Sequence, residues 1–369
     1  MKTRAPQKAT KKFTYAEAGV DRDLRAESKR ALAILSKTYR FSRHGSVTKL
    51  PYGNIFPVGN DLFLDLIIEG VGTKVLLAQL ADKYDTIGID GVAVAVNDVI
   101  RSGARPLAVA DNIHAHVSDP TLTEEWMKGI VEGASQAECP VPSGEIGDVP
   151  DIIKGLAEGK GFDMVFASVG IVNREHIILG NTLEIGDTVV GLRSSGIHSN
   201  GVSLARKVLF KQWGGKYDPF DVPDGFNREL VYEVLEPTRI YVKPLMKLVD
   251  NQWIKAAVHV TGDAYLKFDR LMPFNKDVGF EFDDFKPQPI FSLIQQVSKQ
   301  RRSPISDEEM FKTFNMGWGF AVVVDEAMTE KTINLLERND IEASQIGTVT
   351  NSGKIVVKHK GKKIQLSRR

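Results

Sequence analysis

The chain has 369 residues, 42% hydrophobic and 26% charged, with a formal net charge of +1; it reads as a globular chain of two domains with no global field to recruit nucleic acid or a membrane surface. No run approaches the roughly 18–20 apolar residues that span a bilayer. One cysteine, Cys139, excludes an internal disulfide and fits a reducing cytoplasm.

In chain order, residues 1–12, MKTRAPQKATKK, are basic and lack the apolar core of a secretory signal, so a solvated tail is expected. RDLRAESKRALAILSKTY has helical spacing at Leu24, Ala31, Leu32 and Leu35. LIIEGVGTKVLLAQLADKY then reads as an apolar strand, a tight glycine loop and a helix from Val75. Such a loop suits an anion. Gly70, Gly72, Thr73 and Lys74 are therefore candidates for a phosphate, with Lys74 exposed in the loop and Glu69 placed to hold magnesium.

YDTIGIDGVAVAVNDVIRSGA predicts a short strand and a helix from Asp90, closed by Gly103. Val92, Val96, Val99 and Ile100 form its buried side, while Asp90, Asn97 and Arg101 share another face with Asp98 beside them, oxygen ligands of the kind magnesium takes. RPLAVADNIHAHV is strand-like; His114 and His116, two apart, either clasp zinc or lie on a half-exposed strand face. In PTLTEEWMKGIVEGASQAE, Thr121 and Glu124 form a capping-box signature. Glu145, Asp148 and Asp151 punctuate a Pro/Gly loop that lines a phosphate cleft or is a surface turn, and FDMVFASVGIVN is a further strand.

The first domain is expected to span 13–175 and the second 176–369. SSGIHSNG, at a strand-to-helix junction, is the densest polar cluster: Ser195, Ser199 and Asn200 suit an anion, and His198 can move a proton or pair with a phosphate. Helices follow in YEVLEPTRIYVKPLMKLV, and a strand in KAAVHVTGD ends near His259, facing a cleft or the core. After the strand GFAVVVDEA, a hairpin turning at NSG is expected to pair SQIGTVT with KIVVKHK, leaving the basic KHKGKKIQLSRR as a solvated edge strand.

FTYAEAGVD, EGVGTK, YDTIGIDGVAVAVNDVIRSGARPLAVAD, LRSSGIHSNGVSLARK, LEPTRIYVK, VHVTG and MFKTFNMGWGF resemble, in order, the motifs of the aminoimidazole ribonucleotide synthetase (phosphoribosylformylglycinamidine cyclo-ligase) family in an archaeal-looking form. The resemblance implies a two-domain α/β protein of the PurM-like superfamily, a cytoplasmic homodimer whose N-terminal sheets form a β-barrel across the interface. It implies ATP- and Mg²⁺-dependent ring closure of formylglycinamidine ribonucleotide in purine biosynthesis. It makes His198, Lys74 and Asp98 the catalytic candidates, Glu69 and Asp98 the metal ligands, and Gly70, Gly72, Thr73, Lys74, Asn97, Asp111 and Glu145 the nucleotide side. Ser195, Ser199, Asn200 and His259 fall on the substrate side. Three departures stand out: Glu69 for the usual aspartate, Ile146 for threonine, and Asp263–Ala264 for two glycines. A relative phosphorylating another small molecule, and a weakly catalytic regulatory subunit, are the alternative readings.

Overall fold

A computed structural model describes residues 13–275 and 278–367; the expected basic tail of residues 1–12 lies outside them. After helix α1 (Arg22–Arg30), strands β1 (Thr48–Leu50), β2 (Gly53–Gly59) and β3 (Leu62–Gly70) lead through the Gly72–Lys74 turn into α2 (Val75–Ala81) and α3 (Ile87–Val99). Strand β4 (Arg105–Ala115), α4 (Pro120–Ala137), β5 (Ser143–Asp148) and β6 (Phe162–Asn173) complete a six-stranded sheet in the order β1-β2-β3-β6-β4-β5. Its inner face packs on α3, where the absence of a side chain at Gly91 admits the Phe166 ring; a Cβ there would stand 2.0 Å from it.

The chain crosses to a second sheet between Asn173 and Thr188. This half contains β7 (Thr188–Arg193), α5 (Val202–Leu209), α6 (Leu230–Leu235), α7 (Val242–Asp250), β8 (Ala256–His259) and β9 (Gly279–Phe282). It continues with α8 (Pro289–Gln300), α9 (Asp307–Thr313), β10 (Trp318–Val324), α10 (Thr329–Glu337), β11 (Ala343–Thr350), β12 (Ile355–His359) and β13 (Lys362–Leu366). The sheet order is β13-β12-β9-β11-β7-β10-β8. One apolar core runs through both halves, and α7 touches α4 and β4 as well as α10.

Three local expectations are corrected. No strand precedes α3: the helix already begins at Ile87, because Gly88 lets it press against α4, with Ile130 N only 2.4 Å from where a Cβ would stand. The α4 cap is Asp119, whose carboxylate accepts from Thr121 and Leu122 N–H, two residues ahead of the expected Thr121 box. Strands β11 and β12 do not pair with each other; β9 lies between them, antiparallel to one and parallel to the other, and the hairpin is β12–β13. Local pattern fixes a turn, whereas insertion of a distant strand depends on tertiary packing.

The apolar positions Leu24, Leu32 and Leu35 of the first helical segment are exposed, and a 3₁₀ stretch replaces the α-helix over Ala31–Phe41. The outer face of the first sheet is also bare: Leu66 and Ile68 of β3 stand directly across from Val169 and Ala167 of β6, with Leu107 beside them. Among the described residues no helix is long and apolar enough to cross a membrane.

Candidate active site

Helix α3 organises a seam between the halves. Asp90 and Asn97, seven residues apart, project from one face. Asp90 Oδ1 accepts from Thr238 N–H at 2.9 Å, Thr238 Oγ1 at 2.6 Å and Ser199 Oγ at 3.0 Å. Asn97 accepts from Tyr241 N–H at 3.0 Å and donates to Arg239 O at 2.8 Å. The face expected to carry a metal instead docks the LEPTRIY segment, and Asn97 spends its amide on backbone.

Lys74 belongs to the same seam. It is wholly buried, its ammonium 2.8 Å from Asp90 Oδ1 and 2.6 Å from Glu236 O. The expectation of an exposed loop lysine is overturned: the short turn Gly72–Lys74 points the side chain inward, and burial lowers its pKa against the pull of Asp90. Val71 N–H, after Gly70, is also committed, donating to Met164 O at 3.1 Å. Gly72 stays open at φ +70, and Thr73 Oγ1 meets Ser203 Oγ of α5 at 2.8 Å. The glycine turn thus meets the start of α5, and through Asp90, which binds both Lys74 and Ser199, it is tied to the SSGIHSNG loop that leads into that helix.

Within that loop, His198 is buried with φ +64, and Ser195 N–H donates to its Nε2 at 3.2 Å, leaving the ring proton on Nδ1. Burial holds its pKa well below the ordinary value, so it is a neutral ring. Gly319 makes room for it; a Cβ there would lie 2.3 Å from Cε1. Ser195 Oγ donates to Pro237 O at 2.5 Å, and Ser195, Ser199 and Asn200 are half-buried at the cleft wall.

Beside the seam lies a charged cluster. His259 Nδ1 is 2.7 Å from Asp98 Oδ1, while Arg101 binds the other carboxylate oxygen at 3.0 Å. Burial pushes His259 down to about 4 against the pull of Asp98, so the neutral ring donates Nδ1–H. Burial opposes ionisation of Asp98 too, but Arg101, His259 and Lys267 outweigh it and hold the carboxyl well below its usual range. Lys267, pushed down to about 8 by burial, donates to His259 O at 3.0 Å and to Thr261 Oγ1. Asp65 is raised to about 6 by burial in the same region.

Glu69 keeps its side chain accessible at the cleft mouth. The protein crowding around it and the charge of Asp98 raise its carboxyl, against Lys267, Arg101 and Lys29. Magnesium binds through one or two carboxylates together with phosphate oxygens and water. Glu69 fits that role with an accessible side chain, while Asp98 is buried and already holds His259 on one oxygen and Arg101 on the other.

Asp111 and Glu145 line a cavity of about 640 Å³ between α4 and the β4–β5 edge, together with Cys139 and Ile146, and Asp111 and Glu69 stand opposite the same residue of β6, Phe166, from the two strands that flank it. His116 Nδ1 meets Ile153 O at 2.8 Å, and neither it nor His114 enters a metal-ligating cluster among the described residues. Sequence reasoning missed Lys267, eight residues beyond His259 in HVTGDAYLK, and Asp65, four before Glu69. Spacing from an already chosen residue was their only available signal.

The AIR synthase related protein N-terminal domain model matches residues 55–172, and the C-terminal domain model matches 184–360. A phosphoribosylformylglycinamidine cyclo-ligase of Methanocaldococcus jannaschii is 38% identical over 96% of this chain and 99% of its own length. That of Pyrococcus horikoshii is 35% identical, covering 95% and 99%. T. maritima PurL complexed with ATP shares the fold, with a TM-score of 0.57 at 12% identity over 90% of this chain and 50% of that one, so this chain spans half its length. With its two matched domains and relatives aligned end to end, the chain belongs to the phosphoribosylformylglycinamidine cyclo-ligase family of AIR synthase related proteins.

Proposed function

We propose that this enzyme closes the imidazole ring of aminoimidazole ribonucleotide from formylglycinamidine ribonucleotide, converting ATP to ADP and phosphate in purine biosynthesis. The carrying observation is convergence: the turn after Glu69 meets the first turn of α5 through Thr73 and Ser203, and Lys74 of that turn and Ser199 of the SSGIHSNG loop share Asp90 Oδ1, alongside the Asp98–His259–Arg101–Lys267 cluster. In the reaction the formamide oxygen takes the γ-phosphoryl group, the amidine nitrogen attacks the activated carbon, and phosphate departs. Such chemistry requires positioning and charge neutralisation rather than a protein nucleophile.

Glu69 is the carboxylate that would meet magnesium arriving with the nucleotide, which supplies neutralisation of the triphosphate. Lys267 and Arg101 hold fixed positive charge under the cleft, and Asp98 fixes the His259 ring as a neutral acceptor at Nε2. Asn200, half-buried at the cleft wall, orients the ribonucleotide, while the Ser195 and Ser199 hydroxyls, which donate to Pro237 O and Asp90, shape the loop that carries it. Lys74 and His198 act on the site indirectly, one by locking α3 to the second half and the other by holding the Ser195 backbone.

The bare outer face of the first sheet supports a homodimer, since Leu66, Ile68 and Leu107 are exposed together there, an arrangement that a second sheet would cover. A coupled ADP-release assay tests the activity. ADP formed with formylglycinamidine ribonucleotide alone is expected; ADP with a different acceptor only, or none at all, overturns the reading.

A further inference from the structure

The segment from Tyr15 to Phe41 ties the second half to the first. At one end Tyr15 N–H donates to Glu309 at 3.0 Å, and Arg22 binds Glu309 at 2.9 Å and Lys312 O at 3.0 Å. At the other, Asn54 of β2 donates to Tyr39 Oη at 3.1 Å. Between these anchors no residue of α1 or of the 31–41 stretch is buried. Asp21 caps α1 through Asp23 and Leu24 N–H, which fixes where its first turn begins.

Arg22, Arg25 and Lys29 follow the i, i+3, i+7 spacing and share one face of α1. That face is turned to the cleft. Arg22 and Arg25 reach Asp263 at 3.7 and 3.5 Å, and Arg270 joins from the other side at 3.8 Å. Arg25 Nη2 lies 3.6 Å from where a Cβ on Gly262 would stand, and Asn200 Oδ1 lies 3.3 Å from the same point. Farther along, Lys29 is close enough for its charge to act on Glu69.

We propose that Arg25 and Lys29 recognise a phosphate group of the bound substrates, that α1 is the lid carrying them, and that Asp263 is the positioning residue holding this lid over the cleft. Asp263 stands at φ +70, where glycine is the relaxed residue. An acid placed there would repel a phosphate on its own; the guanidinium groups around it reverse that effect and leave net positive charge at the mouth. The proposal rests on the cyclo-ligase reading of the cleft, because both substrates of that reaction carry phosphate.

The test is calorimetric binding of two probes, a nonhydrolysable ATP analogue with magnesium and formylglycinamidine ribonucleotide, to the native chain, to Arg25→Ala/Lys29→Ala and to Arg25→Lys. Loss of about tenfold or more in affinity is expected for one probe in the double variant, with partial rescue by lysine. The probe affected tells whether the triphosphate or the ribose phosphate is the partner. Native affinity for both probes in the double variant overturns the lid assignment while leaving the cleft reading intact, whereas no binding of either probe by the native chain overturns both. For Asp263→Asn, which tolerates the same backbone conformation, faster amide exchange over 22–30 and a raised KM at retained kcat are expected. Unchanged exchange overturns the positioning role.

Discussion

Lys74→Met separates a structural from a ligand-binding lysine. Lys74 and Asp90 are both fully buried, 2.8 Å apart, so removing the ammonium strands a carboxylate inside the protein. Breaking a buried pair in this way typically costs about 3–5 kcal/mol. Asp90 Oδ1 keeps three other donors, from Thr238 and Ser199, while Oδ2 has no hydrogen-bond partner, so the lower end, about 3 kcal/mol, is expected. Urea unfolding at pH 7 reads the loss directly. Adding Asp90→Leu removes the stranded charge but leaves Thr238 N–H and the Thr238 and Ser199 hydroxyls without their acceptor, so only part of the stability should return, and the coupling in a double-mutant cycle reads the ion pair. A single variant within about 1 kcal/mol of the native chain that has nonetheless lost nucleotide binding would refute the reasoning and return Lys74 to the phosphate site.

His259 falls from 6.5 to about 4 on folding, so the unfolded chain binds more protons between those values and acid destabilises the fold through this ring. Its contribution, on the order of 3 kcal/mol, is present above pH 6.5 and lost as pH falls toward 4; Asp65, raised to about 6, works in the opposite sense over much of that window, so the check is the difference in urea midpoints between the native chain and His259→Asn, and an identical pH profile in the two contradicts it. Gly88→Ala should cost at least about 1–3 kcal/mol in the same unfolding assay, because its Cβ meets α4 backbone at 2.4 Å rather than a movable side chain. Leu66→Arg with Ile68→Lys should yield monomers in sedimentation velocity at unchanged secondary structure, and dimers that persist would place the interface elsewhere.

Elements with strong local signals were legible in the sequence. The alternation along Phe162–Asn173 buries every second residue, and Gly103 closes its helix at φ +85 as expected. What failed depended on partners far away in the chain. Ile87 and Ile89 look strand-like until Gly88 and Gly129 bring two helices together, and NSG looks like a hairpin until β9 enters between its arms. The site shows the same division. Its loops were legible because glycines and small polar residues have few other uses at strand-to-helix junctions. The direction in which a side chain points from such a loop was not, and Lys74 turned inward.

Asp263 shows why a departure from a family pattern is informative even when its meaning is hidden. The sequence alone makes it an acid where backbone should approach an anion. The fold surrounds it with Arg22, Arg25 and Arg270, two of them more than two hundred residues away in the chain. Replacing glycine by aspartate and placing arginines on α1 are then two halves of one electrostatic arrangement. Asp263→Gly without the arginine changes takes the carboxylate from Arg25 and Arg270 while Arg22 keeps Glu309, and the arginine changes without Asp263→Gly leave a buried acid beside the cleft; neither half is neutral without the other.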